Sequence, residues 1–430
     1  MIVLGTVSLL VVLLMIGVPI VFTFGAATLF IALAGDYNMA TLLPAGYNRM
    51  NNMVLVAVPL FIYSGALIQK GRIAEPLIGM AEMFFKKIRG SMAIVSVVAS
   101  AAFGSISGSA AATLSCMGSI LLPKMYKDGY PRAIANALVI NASPLGLLIP
   151  PSADLILFAW IAQQSVLACF LATVIPGLIL MTLLIIVSLF LLRNKDIAKD
   201  PELDKPLTAE LFASRIKTAS PALTMPVIVL GGIYAGFVTP TEAAAISVFV
   251  AVILGRWVYK GLNTGAFREA SVDSAVTSGV FMVMLFVVMI MSRLFVFEDF
   301  SQITLDFLYS ISDNKWVVLF MVNLLMIIIG MLMDDASGIL ISTPILIPVV
   351  QELGISPIHF AAIQGVNLGM GTITPPTAPL LYLGARVGKT PVPEMLTPTM
   401  YYILFAWIPT LILTTVFPAI SLFLPEFFLG

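Results

Sequence analysis

Leu121-Leu122-Pro123, Gly129, Gly146 and Pro150-Pro151-Ser152-Ala153 are answered later in the chain. The answering residues are Leu346-Ile347-Pro348, Gly354, Gly371 and Pro375-Pro376-Thr377-Ala378. Each pair is separated by 225 positions, without a gap. In both copies a Gly/Pro segment interrupts a hydrophobic run. Paired interruptions in two halves of an apolar chain are the sequence mark of a secondary transporter's binding site. Backbone groups freed by such breaks are tolerated at membrane depth only where they line a cavity or bind something.

Working outward, the whole chain reads as a membrane protein. It is 60% hydrophobic and 10% charged, with a mean hydropathy of +1.06. Uncharged runs such as Met50–Gln69 and Val166–Leu192 suit a bilayer core roughly 30 Å thick. Acids and bases balance at 22 each, so net charge selects no partner. Cys116 and Cys169 lie in apolar segments and imply no disulfide framework, and the single His359 leaves no zinc constellation. The N-terminus lacks a basic n-region and makes a poor cleavable signal. No P-loop, GxSxG elbow or HExxH motif is present. The chain reads as a transporter rather than an enzyme, driven by an ion gradient rather than ATP.

Each half has the same order of segments. Apolar segments near 2–17, 19–34 and 52–69 are followed by a charged arm at 70–90. A long run, 91–125, is broken at Gly104–Ser109. Segment 133–162 is broken near Ser143–Pro151, and 167–192 follows. A polar linker, 193–219, leads to 220–236, 240–258 and 274–297, then an acidic arm at 298–315. The run 316–351 is broken at Asp334–Gly338, 359–388 at Gly369–Pro376, and 399–424 closes the chain. The runs 91–125 and 316–351 are too long for one straight span. Read as re-entrant hairpins, they leave five spans per half. Five is odd, so the halves are inverted repeats.

Under this folding 19 of the 22 basic residues share one face, including Lys86, Lys199 and Lys205; the other has only Arg49, Arg293 and Lys315. The positive-inside rule puts the first face in the cytoplasm and both termini outside. The arm at 72–89 suits a helix in the interface, its bases toward anionic headgroups; solvated loops are the alternative.

Hairpin tips and helix breaks converge on one chemistry. Bare helix N-termini attract carboxylates, while carbonyl ends with Ser, Thr, Asn and Asp oxygens coordinate Na⁺. The first cluster is Ser105, Ser107, Gly108, Ser109, Asn141, Ser143 and Gly146. The second is Asp334, Asp335, Ser337, Gly371, Thr372 and Thr374. Gly104–Gly108 is also a helix-packing GxxxG pattern. Asp334 and Asp335 are buried-segment carboxylates, expensive unless they function, or else helix caps. Asp154 and Glu242 begin helical segments and read equally as caps or as functional groups. Neither cluster holds Arg or Lys, so an anionic substrate needs helix N-termini, hydroxyls and co-bound cations.

At these residues the chain resembles the large membrane subunit of TRAP (tripartite ATP-independent periplasmic) transporters, the DctM-like family. The similarity is carried by Val58–Gly65, Gly104–Ala111, Gly118–Pro123, Gly129–Pro131, Leu148–Ser152, Thr239–Ala245, Ser342–Pro348 and Thr372–Pro376. Thr377-Ala378-Pro379 departs from it, where the family pattern has an apolar residue and then Gly. The resemblance implies an all-α polytopic fold of the elevator-type ion-transporter superfamily. It implies Na⁺-coupled uptake of an organic acid such as sialic acid or a C4-dicarboxylate in the bacterial inner membrane. A periplasmic binding protein delivers the substrate and a small four-helix membrane subunit accompanies the permease; no nucleic acid is involved. Residues 1–90 and 220–315 become scaffold, and 91–192 and 316–430 the moving transport domain. Substrate contacts fall to Ser107, Ser109, Ser152, Asp334 and Thr377. Na⁺ falls to Ser105, Gly108, Asn141, Gly146, Asp335, Ser337, Gly371, Thr372 and Thr374. Docking of the binding protein falls to Arg49 and Arg293. The alternative is a stand-alone Na⁺- or H⁺-coupled carrier with no binding protein.

Overall fold

The computed structural model describes residues 2–85, 87–195, 197 and 209–430; the side chains of 209–212 are also left aside. Lys86, Lys199, Lys205 and the middle of the polar linker therefore lie outside the described residues. Among those described, every regular element is helical. The first half contains α1 (Ile2–Met15), α2 (Ile20–Ala34), α3 (Met39–Met50), α4 (Met53–Lys70) and α5 (Ala74–Phe85). It continues with α6 (Ser91–Ser107), α7 (Ala110–Lys127), α8 (Arg132–Ala142), α9 (Leu145–Leu148), α10 (Ala153–Ile161) and α11 (Val166–Leu192). The second half contains α12 (Ala209–Tyr234), α13 (Pro240–Ile253), α14 (Thr264–Phe297), α15 (Phe300–Ile311), α16 (Lys315–Leu332) and α17 (Asp335–Glu352). After these come α18 (Pro357–Gly371), α19 (Pro379–Gly388), α20 (Val392–Tyr402), α21 (Ile408–Val416) and α22 (Pro418–Leu429). Short π-helical turns at Leu254–Val258 and Ile403–Trp407 extend α13 and join α20 to α21.

Seven described helices are long and apolar enough to cross a membrane, and the bent run Arg132–Leu148 plus Ala153–Ile161, angled at 45°, makes an eighth. The ten-span reading is therefore not matched helix for helix. α1 and α2 are 14 and 15 residues, about 21–23 Å of helix, short of a 30 Å core. They are nevertheless two helices and not one tilted span. The chain reverses at Gly17, whose φ of 86° suits glycine, and Gly5 faces Phe30 across the pair. α3 was not anticipated; Asn38 caps it through the Ala40 N–H at 2.9 Å. α14 begins ten residues before the predicted 274, capped by Asn263 on the Ala266 N–H at 2.8 Å. The last apolar run divides: Val392–Val416 is the long element, and α22 restarts at Pro418, where proline suits a helix's first position.

Both long runs fold as helical hairpins, α6–α7 and α16–α17, and both arms are helices. α5 corrects the interfacial reading in part. Ile73, Leu77, Ile78 and Ala81 are buried, because α5 lies against α6 and α12 rather than open to lipid; Phe84 alone of its apolar face is 58% exposed. Glu82 of α5 accepts from Lys124 of α7 at 2.8 Å, tying arm to hairpin. On the other arm Tyr37 donates to Glu298 at 2.8 Å, and that bond holds the Tyr37 phenol above its ordinary pKa.

The two repeats interlock. α10, after the first break, packs on α17 of the second hairpin; α19, after the second break, packs on α7 of the first. The apolar core follows this exchange. One cluster joins α6–α7 with α19–α21, and the other joins α16–α17 with α10 and the face of α4 and α14.

Candidate functional site

The first tip is shaped by one glycine. Gly108 ends α6 in the left-handed region at φ 62°, and a Cβ there would sit 2.9 Å from the Pro151 carbonyl oxygen. Glycine is therefore required twice over, and the tip is seated on the first break. Ser109 caps α7 through the Ala112 N–H at 3.4 Å. Thr113 Oγ1 donates to the Ser109 carbonyl at 2.8 Å and lies 3.2 Å from Ser107 Oγ.

The second tip has the same plan with different chemistry. Position 334 is the repeat partner of 109, and Asp334 takes the N-cap position of α17. Its carboxylate does not cap: it accepts from the Ser337 hydroxyl and from no backbone N–H. The capping alternative for Asp334 therefore fails in geometry. Asp335 is 8% exposed, and its Oδ1 is buried without a partner, a costly state for a carboxylate unless something else binds it. Thr377 Oγ1 donates to the Met331 carbonyl at 2.5 Å, fastening this tip to the second break.

Gly146 and Gly371 have a packing reason to be glycine. A Cβ on Gly146 would lie 2.7 Å from Thr113 Oγ1, and one on Gly371 2.7 Å from Gly330 Cα and the Ile327 oxygen. In each repeat a hairpin arm rests directly on break backbone. The sequence assigned both glycines to the ion; their missing side chains serve this approach.

Other candidates fall into two sets. Ser107, Gly108, Ser109, Asp334, Asp335 and Thr372 line one cavity of about 420 Å³. Ser105, Asn141, Gly146, Ser152, Ser337, Gly371, Thr374 and Thr377 stand behind its wall or beside it. Ser105 and Thr374, and Thr372 of the lining, donate to the carbonyls of Ala102, Met370 and Gly369 at 2.8, 2.6 and 3.0 Å; hydroxyl lone pairs stay available to a cation. Asn141 donates to the Ala137 carbonyl at 2.8 Å, leaving its Oδ1 buried and unpartnered, as is Ser152 Oγ. Thr374 opens instead onto an apolar cleft lined by Trp316, Asn323 and Thr415.

The opposite wall came as a surprise. Gln69 of α4 and Asp273, Ser274, Thr277 and Phe281 of α14 face the tips across the cavity, while Asp154 of α10 joins the lining on the side of the tips. The readable signal was helical spacing: Asp273, Thr277 and Phe281 recur every four residues on one face. It fell at the unexpected start of α14 and was missed. Four helices, α7, α10, α17 and α19, direct their N-terminal turns at the cavity, through Ala111, Ala112, Ala153, Asp335, Pro379 and Leu380. Their summed partial positive charge is an anion-binding feature. Among the described residues, no group of three His, Cys, Asp or Glu converges as a metal cage.

Arg49 and Arg293 are both exposed. Arg293 lies over the Phe297 ring at 5.4 Å, and Phe297 stacks on Tyr37. Phe295, two residues on from Arg293, is buried at 5% and stacks on Phe300.

Residues 7–420 match the family model described as tripartite ATP-independent periplasmic transporter, DctM component. The chain belongs to the DctM family. Among DctM relatives it is 34% identical to the sialic acid TRAP transporter large permease protein SiaM of Vibrio cholerae, covering 89% of this chain and 88% of that one. It is 33% identical to the C4-dicarboxylate TRAP transporter large permease protein DctM of Pseudomonas aeruginosa, covering 88% of each. The isethionate TRAP transporter permease protein DctMQ of Oleidesulfovibrio alaskensis is 32% identical over 95% of this chain but 64% of its own longer one. The fold is shared with the YdaH transporter of Alcanivorax borkumensis (TM-score 0.62, 18% identity, 91% of this chain and 88% of that one). It is shared also with Neisseria gonorrhoeae MtrF (TM-score 0.61, 14% identity, 90% and 85%). A DctM chain is thus a multi-span transporter permease, and its relatives are not enzymes.

Proposed function

We propose that this chain is the large permease of a Na⁺-coupled TRAP transporter in the bacterial inner membrane. A periplasmic binding protein hands it an organic acid, and a small four-helix subunit supports it in the bilayer. Both termini face the periplasm. Residues 91–192 and 316–430 move as an elevator against 1–90 and 220–315, the hairpins entering from opposite faces. Na⁺ neutralises the substrate's charge and binds among oxygens behind the tips, including those of Asn141 and Asp335.

The observation that carries this reading is the cavity's composition. One wall holds both hairpin tips and the helices that follow both breaks; the other is α4 and α14. A substrate there contacts both parts at once, as alternating access requires. The relatives named for sialic acid and C4-dicarboxylate support an organic acid as cargo.

The test is initial uptake of N-acetylneuraminate and of succinate into proteoliposomes holding the permease and its small subunit, with binding protein outside. The expected dependence on external Na⁺ is sigmoidal, with a Hill slope above one. Uptake at full rate without Na⁺ overturns the coupling, and uptake at full rate without binding protein selects the stand-alone carrier.

A further inference from the structure

The four helix N-termini at the cavity are not alike. α7 and α19 carry no acidic residue in their first turns. α10 carries Asp154 and α17 carries Asp335, with Asp334 just before it. The two kinds are segregated, because α7 packs on α19 and α10 packs on α17. One pole therefore presents bare positive helix ends. At the other, the helix ends are covered by the chain's own carboxylates. α14 reinforces the second pole. It contacts α17, with Ser337 Oγ 3.2 Å from Met284 Sδ, and brings Asp273 and Phe281 to the lining.

The negative pole is left with unused valence. Asp335 and Ser274 line the cavity and are more than nine-tenths buried, and Asp335 Oδ1 and Ser274 Oγ have no partner. No Lys, Arg or His is among the described residues lining the cavity. Asp154, Asp273, Asp334 and Asp335 thus share one chamber without a cationic side chain. A substrate that brought only carboxylates would add to this charge. Na⁺ at Asp335 would offset part of it and leave the exposed Asp273 and Asp334 uncompensated. A ring such as Phe281 beside carboxylates is the kind of surroundings in which quaternary and primary ammonium groups are held.

We propose that the cavity is built for a zwitterion: an acid that also carries a cationic nitrogen. Its carboxylate lies at the ends of α7 and α19, and its nitrogen lies among Asp154, Asp273, Asp334 and Phe281. This rests on the organic-acid permease reading and narrows its substrate class to amino acids and betaine-like molecules.

Pairs of molecules that differ in one atom test it. Glycine betaine and 3,3-dimethylbutanoate share size and carboxylate but differ in nitrogen against carbon; 4-trimethylammoniobutanoate and 5,5-dimethylhexanoate form a longer pair. Thermal stabilisation of the purified permease in saturating Na⁺ gives the half-effective concentration of each, with succinate alongside. The expected result is stabilisation by at least one cation-bearing acid, at a concentration at least tenfold lower than its carbon partner and than succinate. Asp273→Asn is expected to shrink that ratio several-fold without changing the ligand-free unfolding temperature. Equal stabilisation within both pairs, preference for the carbon partners or succinate, or stabilisation by neither cation-bearing acid overturns the proposal. Na⁺-driven uptake of succinate or N-acetylneuraminate by the full assembly, with no such preference, removes the zwitterion reading and leaves the permease standing. Absence of Na⁺-driven uptake of any acid removes both.

Discussion

Asp334 and Asp335 are neighbours in sequence with opposite surroundings. Asp334 is exposed to the cavity and accepts from Ser337; Asp335 is buried with one oxygen free. Their substitutions should therefore separate. Asp335→Asn is expected to raise the Na⁺ concentration for half-maximal uptake by about tenfold, since an interaction with a charged group is worth roughly 1.5–3 kcal/mol against about 1 for a neutral one. Asp334→Asn is expected to raise the substrate concentration for half-maximal uptake and leave the Na⁺ requirement within about twofold. Uptake kinetics on the two variants check this, and identical shifts in both would show that the carboxylates act as one undivided charge. The pair was legible in sequence because carboxylates inside an apolar run stand out. Asp273 was not, because it sits among Ser271, Ser274 and Thr277, where one acid looks like ordinary helix-end polarity.

Among elements, the hairpins and breaks were readable because glycine, proline and their 225-residue echo mark them directly. Span ends were not. α1 and α2 have the composition of spans without the length, and α14 continues past its polar start because Asn263, not Ser274, caps it. The faces of α5 were hidden too, since a sequence shows an apolar stripe but not whether lipid or helix covers it. The contact between each break and its hairpin gives a prediction. Gly371→Ala places a methyl 2.7 Å from backbone atoms of Gly330 and Ile327, which cannot move as a side-chain end can. Overpacking of this kind costs about 1–3 kcal/mol. The expected result is a fall of several degrees in unfolding temperature in detergent. Gly279→Ala on α14 meets nothing within 4 Å and should be neutral or stabilising by up to about 1 kcal/mol, through helix propensity. Similar losses in both variants would rule out close approach as the cause.

Across the molecule, the elevator proposal requires α4 to slide past the first hairpin. A Cβ on Gly65 would lie 3.5 Å from that of Ser107, a separation that suits a disulfide. The double variant Gly65→Cys, Ser107→Cys is expected to lose uptake on oxidation and regain it on reduction. Ser107→Cys alone supplies the baseline, and the native Cys116 and Cys169 are buried. Full uptake by a quantitatively cross-linked permease would mean that these two elements do not part during the cycle.

The interlocking of the repeats also has a consequence for how the chain is made. α10 emerges early, with Asp154 in its first turn, but its partner α17 lies roughly 180 residues further on, some 10–40 s later at typical rates of synthesis. Through that interval α10 has α4 and α11 of its own repeat beside it, but the face that α17 will cover stays bare. A nascent chain stalled before α16 would hold every element of the first repeat and still lack the partners that the second repeat brings to α10 and α7. Such a fragment would meet membrane chaperones and proteases as an orphan, however sound its own sequence.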